Sequence, residues 1–594
     1  MPAHRKHLAY RGPVRRSAII LAAGAAYLLV ALVAWWHVWT GGAAHTLTTI
    51  GFGDPAQQIW YLEWLPHALG SGLDPFVSHA IFAPAGINLM ANSSILFPAL
   101  VGSPITVIFG PLVAFNVLVV LAPTASALVA YLVFRRYTTF GFGAWLAGLF
   151  YGFSPFALND LGAGHLHLTT LVFPPLVLLL VDDLVVSRRG SPVSRGVLLG
   201  LVLAAQALTS LEVLAMVVFI GAIGLVLLAA RYPAEIRARW RRVLAGLAAT
   251  AVTAGVLLAW PVEVLLLGPR RYKGSIFASP QSFVLWLKAL VWPLGGNEAH
   301  PHVWPAYVGI PLLLLVIIGV WRVRNPTLRL TALLAAIALL FAMGRSIHLT
   351  PKIGTHIPLP DVLVTKAPWL ENLLPVRFMI IVDLFVALGL AIVLGAVRDW
   401  VAERPPSARL RQVGRPAAAI MAGTLGVVVL ASPMLSAQWP YPTRQITVPA
   451  VYRSQAITHL PHGSILLAYP VLTGFAADPM IWQAEEQMPY DMVAGYGFIP
   501  STGPNPIGSL PASPVTNLFN DAKIGFIGAS IPASRAQAVR REIKSWRVSD
   551  IVILDTGKRP RYLVPILTSL LGRAPTRLDG AWVWLHLRPP ALQS

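Results

Sequence analysis

The sequence predicts a polytopic α-helical membrane protein, with about eleven transmembrane helices and a C-terminal α/β domain outside the membrane. Three observations predict it. Of 594 residues, 56% are hydrophobic and only 12% are charged, with mean hydropathy +0.67. Soluble domains carry about 25% charged residues, so a water-soluble enzyme is excluded. A disordered chain, which needs low hydrophobicity and abundant charge, is excluded as well. Second, apolar runs near the ~20 residues that cross a bilayer recur through the first 433 positions. Third, Lys and Arg are divided unevenly between alternate loops, which sets orientation with the basic loops inside. Cysteine is absent, which removes disulfides, thiolate catalysis and cysteine-bound metals.

The predicted spans lie near 17–39, 112–134, 140–156, 169–186, 196–209, 213–230, 243–267, 305–321, 328–344, 377–397 and 416–433. The first follows Arg5, Lys6, Arg11, Arg15 and Arg16 and lacks a small-residue cleavage pattern, so it is expected to stay as a signal-anchor. Runs 196–209 and 213–230 form one apolar stretch broken at Thr209-Ser210-Leu211-Glu212, which suits a helical hairpin with its tip at the interface. The segment 95–110 is apolar but interrupted by Pro98, Pro104 and Gly110-Pro111, and is taken as a surface or re-entrant piece. With the N-terminus inside, the cytoplasmic pieces hold 23 Lys or Arg in 68 residues, against 8 in 160 for the external pieces before the last span. Counting 95–110 as a span would invert that bias. The expectation is therefore a multi-pass plasma-membrane protein, N-terminus cytoplasmic and C-terminal domain extracytoplasmic. The net charge of +21 reports orientation, and no nucleic-acid partner is needed. Residues 1–433 form the transmembrane domain, with external loops 40–111 and 268–304. Residues 434–594 follow as an α/β unit, with strands near 464–469, 548–554 and 582–587 and helices near 476–488, 534–546 and 562–572.

Ionisable groups at a membrane surface are costly and often functional, so the external turns hold the candidate site. Gly53-Asp54-Pro55 opens the first long external segment, and helical spacing sets Asp54, Gln57, Gln58 and Tyr61 on one face. Asp before Pro also suits a helix cap. A carboxylate fixed at a helix start just outside the bilayer is well placed as a general base. The second external turn crowds Asp160, His165 and His167, groups able to bind a metal or a pyrophosphate-like group or to orient a sugar. Glu212 is the one carboxylate of the apolar hairpin. Arg270, Arg271 and Lys273 break the inside bias and point to an anion, a lipid headgroup or a bound lipid phosphate. Glu298 and His300 follow in the same loop, and with Gln57, Gln58 and Tyr61 they are the acceptor-side candidates. Arg377, in Pro375-Val376-Arg377-Phe378, either holds a phosphate or pairs with Asp383 or a neighbour. Trp439, Tyr441, Trp482, Tyr490 and Tyr496 either stack on sugar rings or serve as core.

One span, a long external segment opening with an acidic residue, and then short hydrophobic hairpins resemble the layout of the GT-C superfamily of polyprenyl-phosphate-sugar-dependent membrane glycosyltransferases. Gly53-Asp54-Pro55, Gly164-His165 and Pro375-x-Arg377-Phe378 resemble its bacterial YfhO-like branch, and Trp482-Gln483-Ala484 with Gly495-Tyr496-Gly497 resembles transferases of actinobacteria. The resemblance implies Asp54 as the first-loop catalytic carboxylate and Asp160 at the second-loop acidic position. It also implies a polyprenyl-phosphate sugar donor and an envelope glycan or glycolipid acceptor at the external face, with membrane lipids as surroundings. The second loop lacks the D-x-D or D-N-E pattern of the oligosaccharyltransferase branch. No cofactor is required by the sequence. The one candidate is a divalent metal, Mg or Mn, with Asp54, Asp160 and His165 as its ligands. No nucleotide fold is visible, since there is no G-x-G-x-x-G after a strand and no Walker sequence. A polytopic transporter or lipid-linked sugar flippase is the first alternative, and a non-catalytic envelope assembly factor is the second. The gathering of polar residues on one membrane face, rather than at midplane, favours the transferase, with a carboxylate base and inversion at the sugar.

Overall fold

The computed structural model describes residues 13–587, apart from positions 50, 52, 93–94, 277–279, 294–305, 351–352, 365–369, 404–407, 438, 475, 529 and 556–559. Among the described residues eight helices are long and apolar enough to cross a bilayer: Ser17–Ala34, Pro111–Phe134, Gly141–Gly162, Leu166–Val186, Leu211–Arg231, Pro233–Leu267, Pro375–Glu403 and Gly414–Ser436. They fall on eight of the eleven predicted spans. The other three fall on Pro192–Ala207, Ile310–Arg322 and Pro326–Ala342, of 16, 13 and 17 residues. At 1.5 Å per residue these are about 20–26 Å long, short of the ~30 Å hydrocarbon layer. Local chemistry trims them. Ser191 caps the first ahead of Pro192, and Ser210 already caps the next helix. The Asn325 side chain accepts from the backbone of Thr327 and Leu328 to start the third.

Segment 95–110 is also more regular than its prolines predict. Leu96–Phe109 is a helix of 14 residues with Leu100, Val101, Val107, Ile108 and Phe109 facing outward. Gly110, at φ +87°, turns the chain, and Pro111 opens the next helix. Only glycine takes that φ freely, and proline is pre-set for the first helical position.

Burial sorts the bundle. The helix Pro375–Glu403 is its axis, with every side chain from Met379 to Gly395 buried. The 35-residue helix Pro233–Leu267 lies at the rim and presents Val252, Val256, Trp260 and Leu267 outward. Where helices touch, small residues let the backbones close up. A Cβ built on Gly152 would stand 2.5 Å from the Pro123 carbonyl oxygen and 2.7 Å from Ala127 Cβ, so helices Pro111–Phe134 and Gly141–Gly152 meet at this point.

Beyond the bundle, a five-stranded sheet is built from β1 (Ile465–Tyr469), β2 (Asp491–Met492), β3 (Asp550–Leu554), β4 (Thr576–Leu578) and β5 (Ala581–Trp584), in the order β4-β5-β3-β1-β2. β1 runs parallel to both β2 and β3, whereas β5 is antiparallel to β3 and β4. Side chains alternate between two cores, as the two-residue period of a strand requires. Leu466, Val552, Leu554 and Val583 join the core that continues into the bundle. Ile465, Leu467, Ile551, Ile553 and Trp584 pack with helices Pro514–Ile524, Ala533–Ser545 and Leu563–Leu571 on the other side. The helix Pro514–Ile524, opened by a Ser513–Thr516 capping box, is absent from the sequence reading. The same is true of the hairpin Ser346–Thr350 with Ile353–Pro358. Thr46–Leu47 pairs with Arg444–Gln445, a first tie between the segment after the first span and the C-terminal region.

The contact at Gly152 sets an expectation. Gly152→Val forces two spans apart, and overpacking of this kind costs about 1–3 kcal/mol. The detergent-solubilised protein should melt several degrees lower, whereas Gly255→Ala, with nothing within 4 Å of the added methyl, should leave melting unchanged.

Candidate active site

The helix Gly53–Ser71 lies outside the eight spans and is buried on nearly every side from Gly53 to Leu65. It begins at Gly53, so Asp54 stands in the first turn rather than at the capping position. Its carboxylate meets side chains instead. The turn that answers it is built by the helix Pro155–Gly162, capped by Ser154, and by Gly164 at φ +89°. A Cβ at Gly164 would fall 2.4 Å from Pro55 Cγ, so glycine lets this turn lie directly on the first turn of the Asp54 helix.

That approach aligns three ionisable groups. His165 Nε2 lies 3.2 Å from Asp54 Oδ2, and its Nδ1 lies 2.8 Å from Asp160 Oδ1. Asp160 is buried, His165 nearly so, while the Asp54 side chain is 43% exposed and marks where the constellation opens. The Tyr496 hydroxyl donates to Asp54 Oδ1 at 3.2 Å. Around this line the helix face is fixed. Gln57 donates to the Tyr496 carbonyl at 2.9 Å. Gln58 accepts from the Leu166 N–H at 2.9 Å, and its amide nitrogen lies 2.9 Å from His167 Nδ1.

The electrostatics follow from these contacts. Burial alone would push the Asp54 carboxyl up, but the hydrogen bond and charge of His165, the charge of His167 and the Tyr496 hydroxyl outweigh it and hold the group below the usual carboxylate range. Burial likewise disfavours the His165 cation, yet the two flanking carboxylates push its pKa up to about 9. Tyr496 is raised, by burial first and by Asp54 second, and so keeps its proton to donate. At neutral pH the Asp54 carboxylate thus faces the His165 imidazolium, with a phenol capping the open end.

The remaining candidates are placed differently. Glu212 and Arg377 form an ion pair with each other, and Glu212 Oε1 also accepts from the Leu374 N–H at 3.0 Å. Arg377 is thus committed to the hairpin tip rather than to Asp383, which is buried within the axial helix. The Arg377 charge still bears on His167, so the pair stands one layer behind the Asp54 line. Arg270 donates to the Gly86 carbonyl at 3.2 Å and Arg271 to the Leu266 carbonyl, while Arg271 and Lys273 are exposed. Among the described residues none of these three cations touches Asp54, Asp160 or His165. They brace a surface loop whose Tyr272 hydroxyl bonds the Ala91 carbonyl. Glu298 and His300 lie outside the described residues. Of the aromatic candidates, Tyr441 stacks on Trp35, and Trp482 and Tyr490 pack on Tyr452 as core; only Tyr496 reaches the site.

A divalent metal does not fit this arrangement. His165 has turned both ring nitrogens to carboxylates. No group of three His, Asp or Glu side chains converges as a ligand set among the described residues. What the line can do is hold one carboxylate ionised, oriented and open to a hydroxyl. The sequence reading of Tyr496 as sugar-stacking or core misses its hydrogen bond to Asp54. Its only signal was the glycine on either side, which lets the loop come close. A Cβ on Gly53 would meet the Tyr496 ring at 2.9 Å.

No family model matches the sequence, and no curated protein matches it. Solved structures do resemble it. The archaeal oligosaccharyltransferase AglB from Archaeoglobus fulgidus, in complex with an inhibitory peptide and a dolichol-phosphate, aligns with 94% of this chain and 71% of its own at 13% identity, TM-score 0.44. ArnT from Cupriavidus metallidurans, bound to undecaprenyl phosphate, aligns with 96% of this chain and 98% of its own at 13% identity, TM-score 0.45. The arabinofuranosyltransferase AftD from Mycobacteria covers 91% of this chain and 36% of its own at 16% identity, TM-score 0.44.

The His165 bridge fixes a pH dependence. Its pKa rises from 6.5 to about 9 on folding, so its contribution to stability is complete below pH 6.5 and is lost as pH rises through about 9. Melting temperature followed across that window should fall in the wild type, and the His165 part of the fall should vanish in His165→Gln.

Proposed function

We propose that the protein is a membrane glycosyltransferase that moves a sugar from a polyprenyl-phosphate donor to a hydroxyl of an envelope glycan or glycolipid at the external membrane face. The observation that carries this reading is Asp54, a carboxylate at a helix start outside the spans, open on one side and held ionised by His165 and Tyr496. The layout resemblance in the sequence supports it further. A sugar on a lipid phosphate already has a good leaving group, so the protein mainly has to direct an acceptor oxygen and take its proton.

The step balances simply. The acceptor hydroxyl oxygen attacks the anomeric carbon and forms the new glycosidic bond. The bond from that carbon to the phosphate oxygen breaks, and its electron pair leaves on the lipid phosphate. The acceptor proton passes to Asp54. Displacement from the opposite face inverts the anomeric centre. Because Asp54 is a weak base, the proton transfers late, once the attacking oxygen carries positive charge. The imidazolium of His165, braced by Asp160, keeps Asp54 ionised and aimed until then. Arg377 is proposed to exchange Glu212 for the donor phosphate when the donor binds, meeting the charge that develops on departure. Arg270, Arg271 and Lys273 are proposed to attract anionic headgroups to the same face. The N-terminus is assigned to the cytoplasm and the site to the outside, and no nucleic acid takes part.

The test uses purified protein with a panel of labelled polyprenyl-phosphate sugars, following release of polyprenyl phosphate and label on an envelope acceptor. Asp54→Asn should lower turnover by about 10²–10⁴, the usual worth of a general base, while donor binding survives. Donor binding without turnover across all acceptors would favour a carrier or flippase instead. Tyr496→Phe removes a donor to the carboxylate and should move the acidic limb of the pH–rate profile upward. An unmoved limb would take Tyr496 out of the site.

A further inference from the structure

Tyr61 shares the face of the helix Gly53–Ser71 that carries Asp54. Seven residues separate them, two turns or about 10.5 Å along the axis. Side chains on a helix lean toward its N-terminus, so the Tyr61 ring leans toward the carboxylate. Its residue is 2% exposed, and its hydroxyl has no hydrogen-bond partner among the described residues. Tyr496 and Tyr272 stand close by, each with its hydroxyl already engaged, by Asp54 and by the Ala91 carbonyl. Tyr61 is therefore the one phenol of the three with a hydroxyl still unspent.

A buried hydroxyl without a partner is unfavourable, and phenylalanine at this position would avoid the cost. Other unpaired buried phenols, Tyr137 and Tyr452, are not on the Asp54 helix. Two segments beyond the bundle bring their phenols near Tyr61. Tyr272 belongs to the loop after the rim helix, and Tyr496 to the C-terminal region. They meet where a Cβ on Gly274 would lie 2.3 Å from the Pro504 carbonyl. A sugar entering past the exposed side of Asp54 would meet these aromatic rings, whose faces suit its C–H faces.

We infer that Tyr61 determines specificity at this site, its hydroxyl forming a hydrogen bond with one ring hydroxyl of the sugar held against Asp54. The inference rests on the transferase reading above. Tyr61 does not take part in proton transfer. It selects, because a site built around a substrate hydroxyl strongly rejects the analogue that lacks it.

The experiment compares kcat/KM for the parent substrates with that for single-position deoxy analogues, first of the donor sugar and then of the acceptor, in wild type and Tyr61→Phe. The wild type should disfavour one deoxy analogue by at least about 10-fold, within the range that such sites reach. In Tyr61→Phe the preference at that position should collapse toward one while the other positions keep theirs. The arm in which this occurs says whether donor or acceptor carries the hydroxyl. Equal loss for every analogue, or ratios unchanged from wild type, would overturn the inference and leave Tyr61 a packing residue. If the wild type turns over nothing in the panel, the transferase reading falls and this inference falls with it. Turnover that depends on Asp54 with ratios untouched by Tyr61→Phe sinks this inference alone. Melting of Tyr61→Phe beside wild type checks that the fold is kept.

Discussion

A polar helix buried at the edge of a membrane must have its hydrogen-bonding groups answered by protein, because water reaches few of them. The helix Gly53–Ser71 imposes that constraint here, and much of the architecture beyond the spans is the response. Gln58 is met by the backbone of Leu166 and the ring of His167, and Trp60 Nε1 donates to Gln483 at 2.7 Å. Gln483 in turn donates to the Ala80 and Tyr490 carbonyls, tying three segments together. Arg444 pairs with Asp478 while also reaching the Gly51 carbonyl. The residues that satisfy the helix are also those that position the Asp54 line.

This explains why the C-terminal region is more than an appendage. One face of its sheet belongs to the same core as the bundle, and its loop supplies the phenol that caps Asp54. Asn92 and Phe498 exchange hydrogen bonds of 2.7 and 3.0 Å just beyond, so the loop is latched on both sides of the site. Glu485 adds another tie by accepting from the Leu112 N–H at 2.9 Å, where a helix N-terminus favours a carboxylate.

Much of this was legible in the sequence. Apolar length alone located eight crossing helices, and the broken stretch at Thr209–Glu212 was correctly read as a hairpin between Pro192–Ala207 and Leu211–Arg231. The other three predicted spans fall on helices of 16, 13 and 17 residues, since caps and prolines, as well as hydropathy, set where a helix starts and stops. At the site, helical spacing grouped Asp54, Gln57, Gln58 and Tyr61, and proximity in sequence grouped Asp160, His165 and His167. What spacing cannot convey is which groups face one another across the fold. The contact of His165 with Asp54, the pairing of Arg377 with Glu212, and the arrival of Tyr496 all join residues more than a hundred positions apart. Periodicity has no information at that range.

The tie between Gln57 and Tyr496 spans 439 positions of the chain. At synthesis rates of 5–20 residues per second, the ribosome takes roughly 20 to 90 s to get from one to the other. Throughout that interval the Asp54 helix lacks its phenol, its Gln483 partner and the Phe498 latch. The phenol that caps the charged line is therefore added last, long after Asp54, Asp160 and His165 have been made. A chain stalled or cut before residue 496 would carry the carboxylate without its cap. Order of synthesis thus becomes order of assembly, with the carboxylate placed early and its cap supplied late.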